Sequence, residues 1–189
     1  MMSKLPVVIL AALLVLLGVV APCSAAEPQR VAIMPVYFHS IQSDAAVGKV
    51  IGQALADKFR TPLSGIVPVY EIIPRGDIAP VLPVAPAAGK KVKLDGAVLA
   101  AVGEKLNADI VIVAEVTQYY TYTYFNGEGD PIRRINFEIR LRSLHKPTRV
   151  YFDRKDHEYY HGDDTPVVQP EYVAGQLMAA LLDKVPAYR

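Results

Sequence analysis

Asp109-Ile110-Val111-Ile112-Val113-Ala114-Glu115-Val116 decides the fold. It is a short apolar run rich in β-branched residues, the composition of a strand covered on both faces by other elements. On its N-terminal side, Asp95 is placed to cap a helix reaching Leu106. Val98, Leu99, Val102 and Leu106 form the apolar face of that helix, and Asn107 closes it. Before it, Pro74, Pro80, Pro83 and Pro86 punctuate a stretch read as a helical turn near Asp77 to Leu82 and an exposed loop from Pro83 to Lys93.

A strand, a helix and a second strand precede that stretch. Ile66 to Ile73 reads as a strand with an internal proline. Between it and the first strand, Ser43 and Asp44 are good N-cap residues. Val47, Val50, Ile51, Ala54, Leu55 and Phe59 follow at helical spacing, and Thr61-Pro62 stops the helix. Gly48 and Gly52 lie four apart on it and permit close packing on the sheet. The first strand, Arg30 to Phe38, contains Pro35, which cannot donate to a ladder and so ends or bulges the strand there.

On the C-terminal side the pattern changes to period two. Gln118 to Phe125 alternates Tyr and Thr, and Asn126-Gly127-Glu128-Gly129-Asp130 is a turn. Ile135, Phe137, Ile139 and Leu141 then alternate with Arg134, Asn136, Glu138, Arg140 and Arg142, giving one dry and one wet face. His145 to Thr148 turns the chain, Arg149 to His161 returns as a strand, and Pro170-Glu171 opens a last helix that Pro186 ends. Strands separated by helices pair in parallel through crossovers, whereas strands joined by turns pair antiparallel. The expected class is therefore α/β (α+β): a mixed sheet whose parallel βαβαβ first half is extended by an antiparallel β-meander. Helices pack on that sheet and a helix closes the chain.

The ends of the chain suggest a compartment. Lys4 precedes an apolar run from Leu5 to Val20, and small residues surround Ala26. That is the form of a secretory signal over residues 1–26, followed by a single domain over 27–189. The expected location is extracytoplasmic, in the periplasm or cell envelope of a bacterium. Cys23, the only cysteine, offers a second reading as a lipidation site. Val20 and Ala21 suit a lipobox, and Pro22 replaces the small residue expected before the cysteine. On either reading the folded part has no disulfide, which roughly 160 residues can do without. Lys4 is the only charged residue before Glu27, so the 20 basic residues lose one with the leader and then balance the 19 acidic ones. A neutral protein lacks the basic face that binds nucleic acid. It has no charge-based attraction to a membrane, which leaves a lipid on Cys23 as the only membrane attachment expected.

No catalytic set emerges. Ser64-Gly65 is not a nucleophile elbow, Gly127-Glu128-Gly129 is a turn rather than a phosphate loop, and Arg75-Gly76-Asp77 reads as a turn before a short helix. Glu115 ends a buried strand as an active-site acid would, but it stands alone and reads as a satisfied polar group. His157 and His161 suit a metal only if the chain bends. On one strand face, residues four apart are roughly 13 Å apart at Cα, so a solvated strand end is the preferred reading. Tyr120, Tyr122 and Tyr124 share one strand face beside Tyr119 and Phe125. With Arg140 and Arg142 on the next strand, they form the one candidate interaction surface. No cofactor is expected.

Val31-Ala32-Ile33-Met34-Pro35 before a capped amphipathic helix, and Leu106-Asn107-Ala108-Asp109 leading into the strand that ends Glu115-Val116, carry a resemblance. The chain resembles the periplasmic α/β domains of the curli-secretion-channel-like and TolB-amino-terminal-like group, bacterial envelope accessory proteins and lipoproteins. It has no long amphipathic hairpins of the kind a secretion channel uses. The resemblance implies a non-enzymatic envelope protein acting by contact with another envelope protein or with a second copy of itself. Two alternatives stay open. One is a periplasmic small-molecule or metal-binding protein, an enzyme included, using 83–93 as a lid. The other is a lipoprotein subunit of an oligomeric complex.

Overall fold

The computed structural model describes residues 27–60, 69–83, 91–163 and 168–187. The leader with Cys23, Thr61-Pro62, the first part of the Ile66–Ile73 strand, most of the 83–93 loop and Asp164-Thr165-Pro166 lie outside the described residues.

The elements are β1 (Gln29–Ile33), β2 (Tyr37–Phe38), α1 (Ala45–Arg60), β3 (Tyr70–Ile72), α2 (Arg75–Ile78) with a 3-10 turn (Ala79–Val81), α3 (Gly96–Leu106), β4 (Ile110–Phe125), β5 (Pro131–His145), β6 (Val150–Asp163) and α4 (Pro170–Leu182). They form one six-stranded mixed sheet in the order β3-β1-β4-β5-β6, with β2 also beside β4. β1 pairs parallel with β3 and β4, and β4, β5 and β6 form the antiparallel meander. The class expected from the sequence is the class observed.

Pro35 divides the first expected strand. Its ring carries no N–H, so β1 stops before it. Met34 still donates to Ile112 O, and two residues after the proline Tyr37 is opposite Glu115 on the same neighbour. The helical turn expected near Asp77 to Leu82 begins two residues earlier, at Arg75.

The junction before β4 is fixed by polar contacts. Asn107 takes the left-handed conformation (φ 47°), and its N–H and that of Ala108 return to Glu104 O and Gly103 O. Asparagine tolerates this conformation better than most residues. Gly103 is required for a different reason. A Cβ there would lie 3.1 Å from Val111 Cγ2, so α3 could not lie as close to β4. Arg30 completes the joint: its guanidinium donates to Leu106 O and Asn107 O at 3.0 Å, and Asp109 accepts from its backbone N–H. The start of α3 is held by Asp95, which accepts from Val98 N–H at 3.1 Å. Asp44 does the same for α1, accepting from Ala46 and Val47.

Alternation along β4 splits the core into two layers. Ile110, Ile112, Ala114 and Val116 face α1 and α4, where Val47, Ile51, Leu55, Val173, Leu177 and Leu181 are buried. Val111 and Val113 face the other way, against Leu99, Val102 and Leu106 of α3. Each of these valine, leucine and isoleucine side chains contributes about 1.5–3 kcal/mol by leaving water.

The meander strands run to 16, 15 and 14 residues. β4 does not stop at Val116 but passes through a bulge at Thr117 and continues along the Tyr/Thr segment. The antiparallel meander is long, as the sequence reading expected.

At the β5–β6 turn, His145 is buried and shares hydrogen bonds with Thr148 Oγ1 (2.6 Å) and Gln29 Nε2 (3.2 Å). Burial moves its pKa below the usual histidine value, against a smaller opposing effect of Asp109. A folded-state pKa below the unfolded one means that the unfolded chain binds the extra proton. The associated stability is full above the unfolded histidine value of about 6.5 and is lost as pH falls below it. Urea midpoints are expected to decline from pH 7 to pH 5, and His145→Gln is expected to make that decline shallower.

Candidate functional site

The α3-side face of the meander is covered only in part. Register puts its side chains in rows of three across β4, β5 and β6. The rows are Val111–Leu144–Tyr151, Val113–Arg142–Asp153, Glu115–Arg140–Lys155, Gln118–Glu138–His157, Tyr120–Asn136–Tyr159 and Tyr122–Arg134–His161. α3 packs on the first of these rows. The last rows carry the polar and aromatic side chains.

An ionic seam separates the two regions. Glu115, 5 % exposed, accepts from Arg142 on one oxygen and meets His39 Nε2 at 3.1 Å on the other. Arg140 forms a two-pronged pair with Asp153 at 2.7 and 2.6 Å, and Arg142 Nε reaches the same carboxylate at 3.3 Å. Paired guanidinium and carboxylate groups of this geometry are the strong form of the salt bridge. The Arg140 hydrogen bond, followed by the charge of Arg142, holds the Asp153 carboxyl below the usual carboxylate range despite partial burial. Burial first, then the nearby carboxylate, raises the phenol pKa of Tyr37 (beside Glu115) and of Tyr151 (beside Asp153). Every charged group in the seam faces a partner of opposite sign. It joins the chain after β2 to β4, β5 and β6, and it serves as a tie.

Beyond the seam lies an aromatic array centred on Arg134. Its guanidinium donates to Tyr122 Oη at 3.1 Å and Tyr124 Oη at 3.3 Å, and its carbon lies 4.8 Å from the centre of the Tyr124 ring. Tyr124 shares a 3.1 Å hydrogen bond with His161 and stacks on it at 6.5 Å. Tyr120 and Tyr122 follow at 6.0 Å, and Tyr159 lies 6.2 Å from His161. Tyr122 and Tyr159 are each more than 40 % exposed. Alternation fixes the backbone positions, and contacts within the array hold these rings ready for contact at low entropic cost.

Tyr120, Tyr122 and Tyr124 thus share a face. Arg140 and Arg142 lie on that face too, but in the seam with Glu115 and Asp153. The partner of the tyrosines is Arg134, one of the wet-face residues of the sequence pattern but not among those singled out. A signal for it was present: a turn centred on Glu128 places Tyr122 opposite Arg134 by counting outward. His39 had no local signal, since its partner Glu115 is far along the chain.

His157 and His161 do not converge. His157 bonds Asn136, whereas His161 bonds Tyr124. Among the described residues, no group of three or more His, Cys, Asp or Glu could hold a metal ion. No helix among them is long and apolar enough to cross a membrane.

No family model matches the chain, and no curated protein matches it. Solved structures do. A PelC dodecamer from Paraburkholderia phytofirmans is 16 % identical, with 85 % of this chain and 90 % of that one covered and a TM-score of 0.40. Lipoprotein GNA1162 from Neisseria meningitidis is 14 % identical, with 83 % and 97 % covered and a TM-score of 0.40. The LpoB C-terminal domain from Salmonella enterica is 9 % identical, with 69 % and 82 % covered and a TM-score of 0.37. Bacterial lipoproteins are therefore among the neighbours, at a similarity too low to carry function across.

Proposed function

We propose that the protein is an exported, non-enzymatic envelope protein that works by docking another protein on the open face of its meander. The observation that carries this reading is the Tyr122–Arg134–His161 row with Tyr120, Tyr124 and Tyr159 around it. Tyrosine and arginine are the residue types enriched where binding energy concentrates. The leader-like residues 1–26 support export, and the charge balance of the remainder disfavours nucleic acid as the partner. A partner that presents carboxylates would meet the Arg134 guanidinium, and its apolar side chains would meet the tyrosine rings. A second copy of the chain remains one candidate for that partner.

The test is cross-linking in intact envelopes followed by identification of the adduct. One reproducible adduct is expected with the natural chain. Tyr122→Ala/Arg134→Ala is expected to reduce it at least about tenfold, a loss typical of central interface residues. Tyr172→Ala, an exposed tyrosine on α4, serves as the control and is expected to leave it unchanged. An adduct equally strong in the double variant would refute the assignment of this face.

A further inference from the structure

A second feature shares no residue with the tyrosine face. A groove of about 410 Å³ opens just beyond the carboxyl ends of β1 and β3, within the roughly 300–1,000 Å³ range of small-molecule sites. Open α/β sheets bind ligands in this position, because the chain leaves adjacent strands in different directions and opens a crevice. Here β1 leads through β2 into α1, and β3 leads into α2.

Its walls are mainly apolar: Ile33, Met34, Val36 and Phe38 from the sheet side, Ile78 and Leu82 opposite. Two glycines of α1 shape the floor. A Cβ on Gly48 would lie 3.3 Å from Phe38 Cε2, and one on Gly52 would lie 3.4 Å from Arg75 Nη2. The missing side chains let the Phe38 ring and the Arg75 guanidinium lie against the helix. The Gly48–Gly52 spacing and the Arg75-Gly76-Asp77 triplet both meet here.

The groove carries two cations against one carboxylate. Lys49 and Arg75 both line it and both are exposed. Neither forms an ion pair with a carboxylate among the described residues. The lining acid is Asp44, whose carboxylate is engaged. One oxygen accepts from the first turn of α1, and the other lies 3.5 Å from Tyr119 Oη. Two cations with no carboxylate partner among the described residues, beside an apolar slot, complement a molecule with an apolar tail and one anionic head.

We propose that this groove binds a single-chain anionic amphiphile, a long-chain fatty carboxylate. Its tail would lie against Met34 and Phe38, and its head would reach Lys49 and Arg75. The apolar walls account for the tail and the two cations for the head, so both parts are required.

Titration calorimetry of the purified protein with dodecanoate, kept below its micellar concentration, tests this. Saturable one-to-one binding is expected, with no binding of acetate or inorganic phosphate at the same concentrations. Dodecanol, which keeps the tail and lacks the charge, is expected to bind more weakly. Lys49→Gln/Arg75→Gln is expected to weaken dodecanoate about tenfold, toward the dodecanol value, as loss of two exposed charge contacts implies. Both residues lie at the surface, so an unchanged melting temperature should accompany the loss. The proposal is overturned if phosphate binds as tightly as dodecanoate, if dodecanol equals dodecanoate, if the double variant binds normally, or if dodecanoate does not bind.

Discussion

Glu115→Ala is expected to destabilise the protein by about 3–5 kcal/mol, the cost of leaving a buried charge without its partner. Both carboxylate oxygens are committed, one to Arg142 and one to His39. Removing the carboxylate leaves Arg142 buried with only the longer contact to Asp153, at 3.3 Å. That remaining contact argues for the lower end of the range. The intact pair is a different matter. Desolvating two ions offsets much of their attraction, so replacing both with apolar residues is often neutral. Glu115→Met/Arg142→Met is therefore expected to recover most of the loss of either single variant. Urea unfolding of the natural chain, Glu115→Met, Arg142→Met and the double variant, at a pH where the carboxylates are ionised, gives the cycle. A single-variant loss under about 1 kcal/mol would show that the seam behaves as a surface ion pair.

The seam also shows what could not be read from the sequence. His39, Glu115, Arg142 and Asp153 come from four separate segments, and only the strand order brings them together. Strand order has no local signal, because periodicity reports which face a residue takes and not which strand lies beside it. Hence the wet face of Arg134 to Arg142 was legible from periodicity, whereas choosing Arg134 over Arg140 as the neighbour of the tyrosines required register, which had to be counted outward from the turn at Glu128. The bulge at Thr117 was hidden for the same reason. Thr117 Oγ1 turns to Glu138 and contacts both its backbone carbonyl (3.2 Å) and its carboxylate (2.6 Å), which no neighbouring residue announces.

Local chemistry, by contrast, was legible. Asp95 and Asn107 cap the helix they were expected to cap, Pro35 divides its strand, and the Asn126–Asp130 turn closes through the Asn126 side chain. Each depends on contacts within a few residues. The groove lies between these extremes. Gly48 and Gly52 signalled close packing, but the groups they admit, Phe38 and Arg75, come from other segments.

Phe137→Ala is the second large effect expected, a loss of about 3–5 kcal/mol for an aromatic removed from a packed core. Phe137 is fully buried in β5 and stacks on Tyr119, with ring centres 4.6 Å apart and planes within 6°. A loss of that size takes a large share of a total stability of about 5–15 kcal/mol, so the urea midpoint should fall steeply. Tyr119 supplies an independent readout. Burial, and after it the Asp44 carboxylate, pushes its phenol up to about 12. If alanine leaves a cavity that admits water, ultraviolet titration should find that value displaced toward the ordinary tyrosine pKa of about 10. A high Tyr119 pKa together with a small loss of stability would mean that the α4 side closes over the gap. Tyr122→Ala, on the opposite face of the same hairpin, removes a ring already 45 % exposed. It should therefore cost far less stability than Phe137→Ala. The two variants separate the face of the meander that holds the fold together from the face proposed to meet a partner.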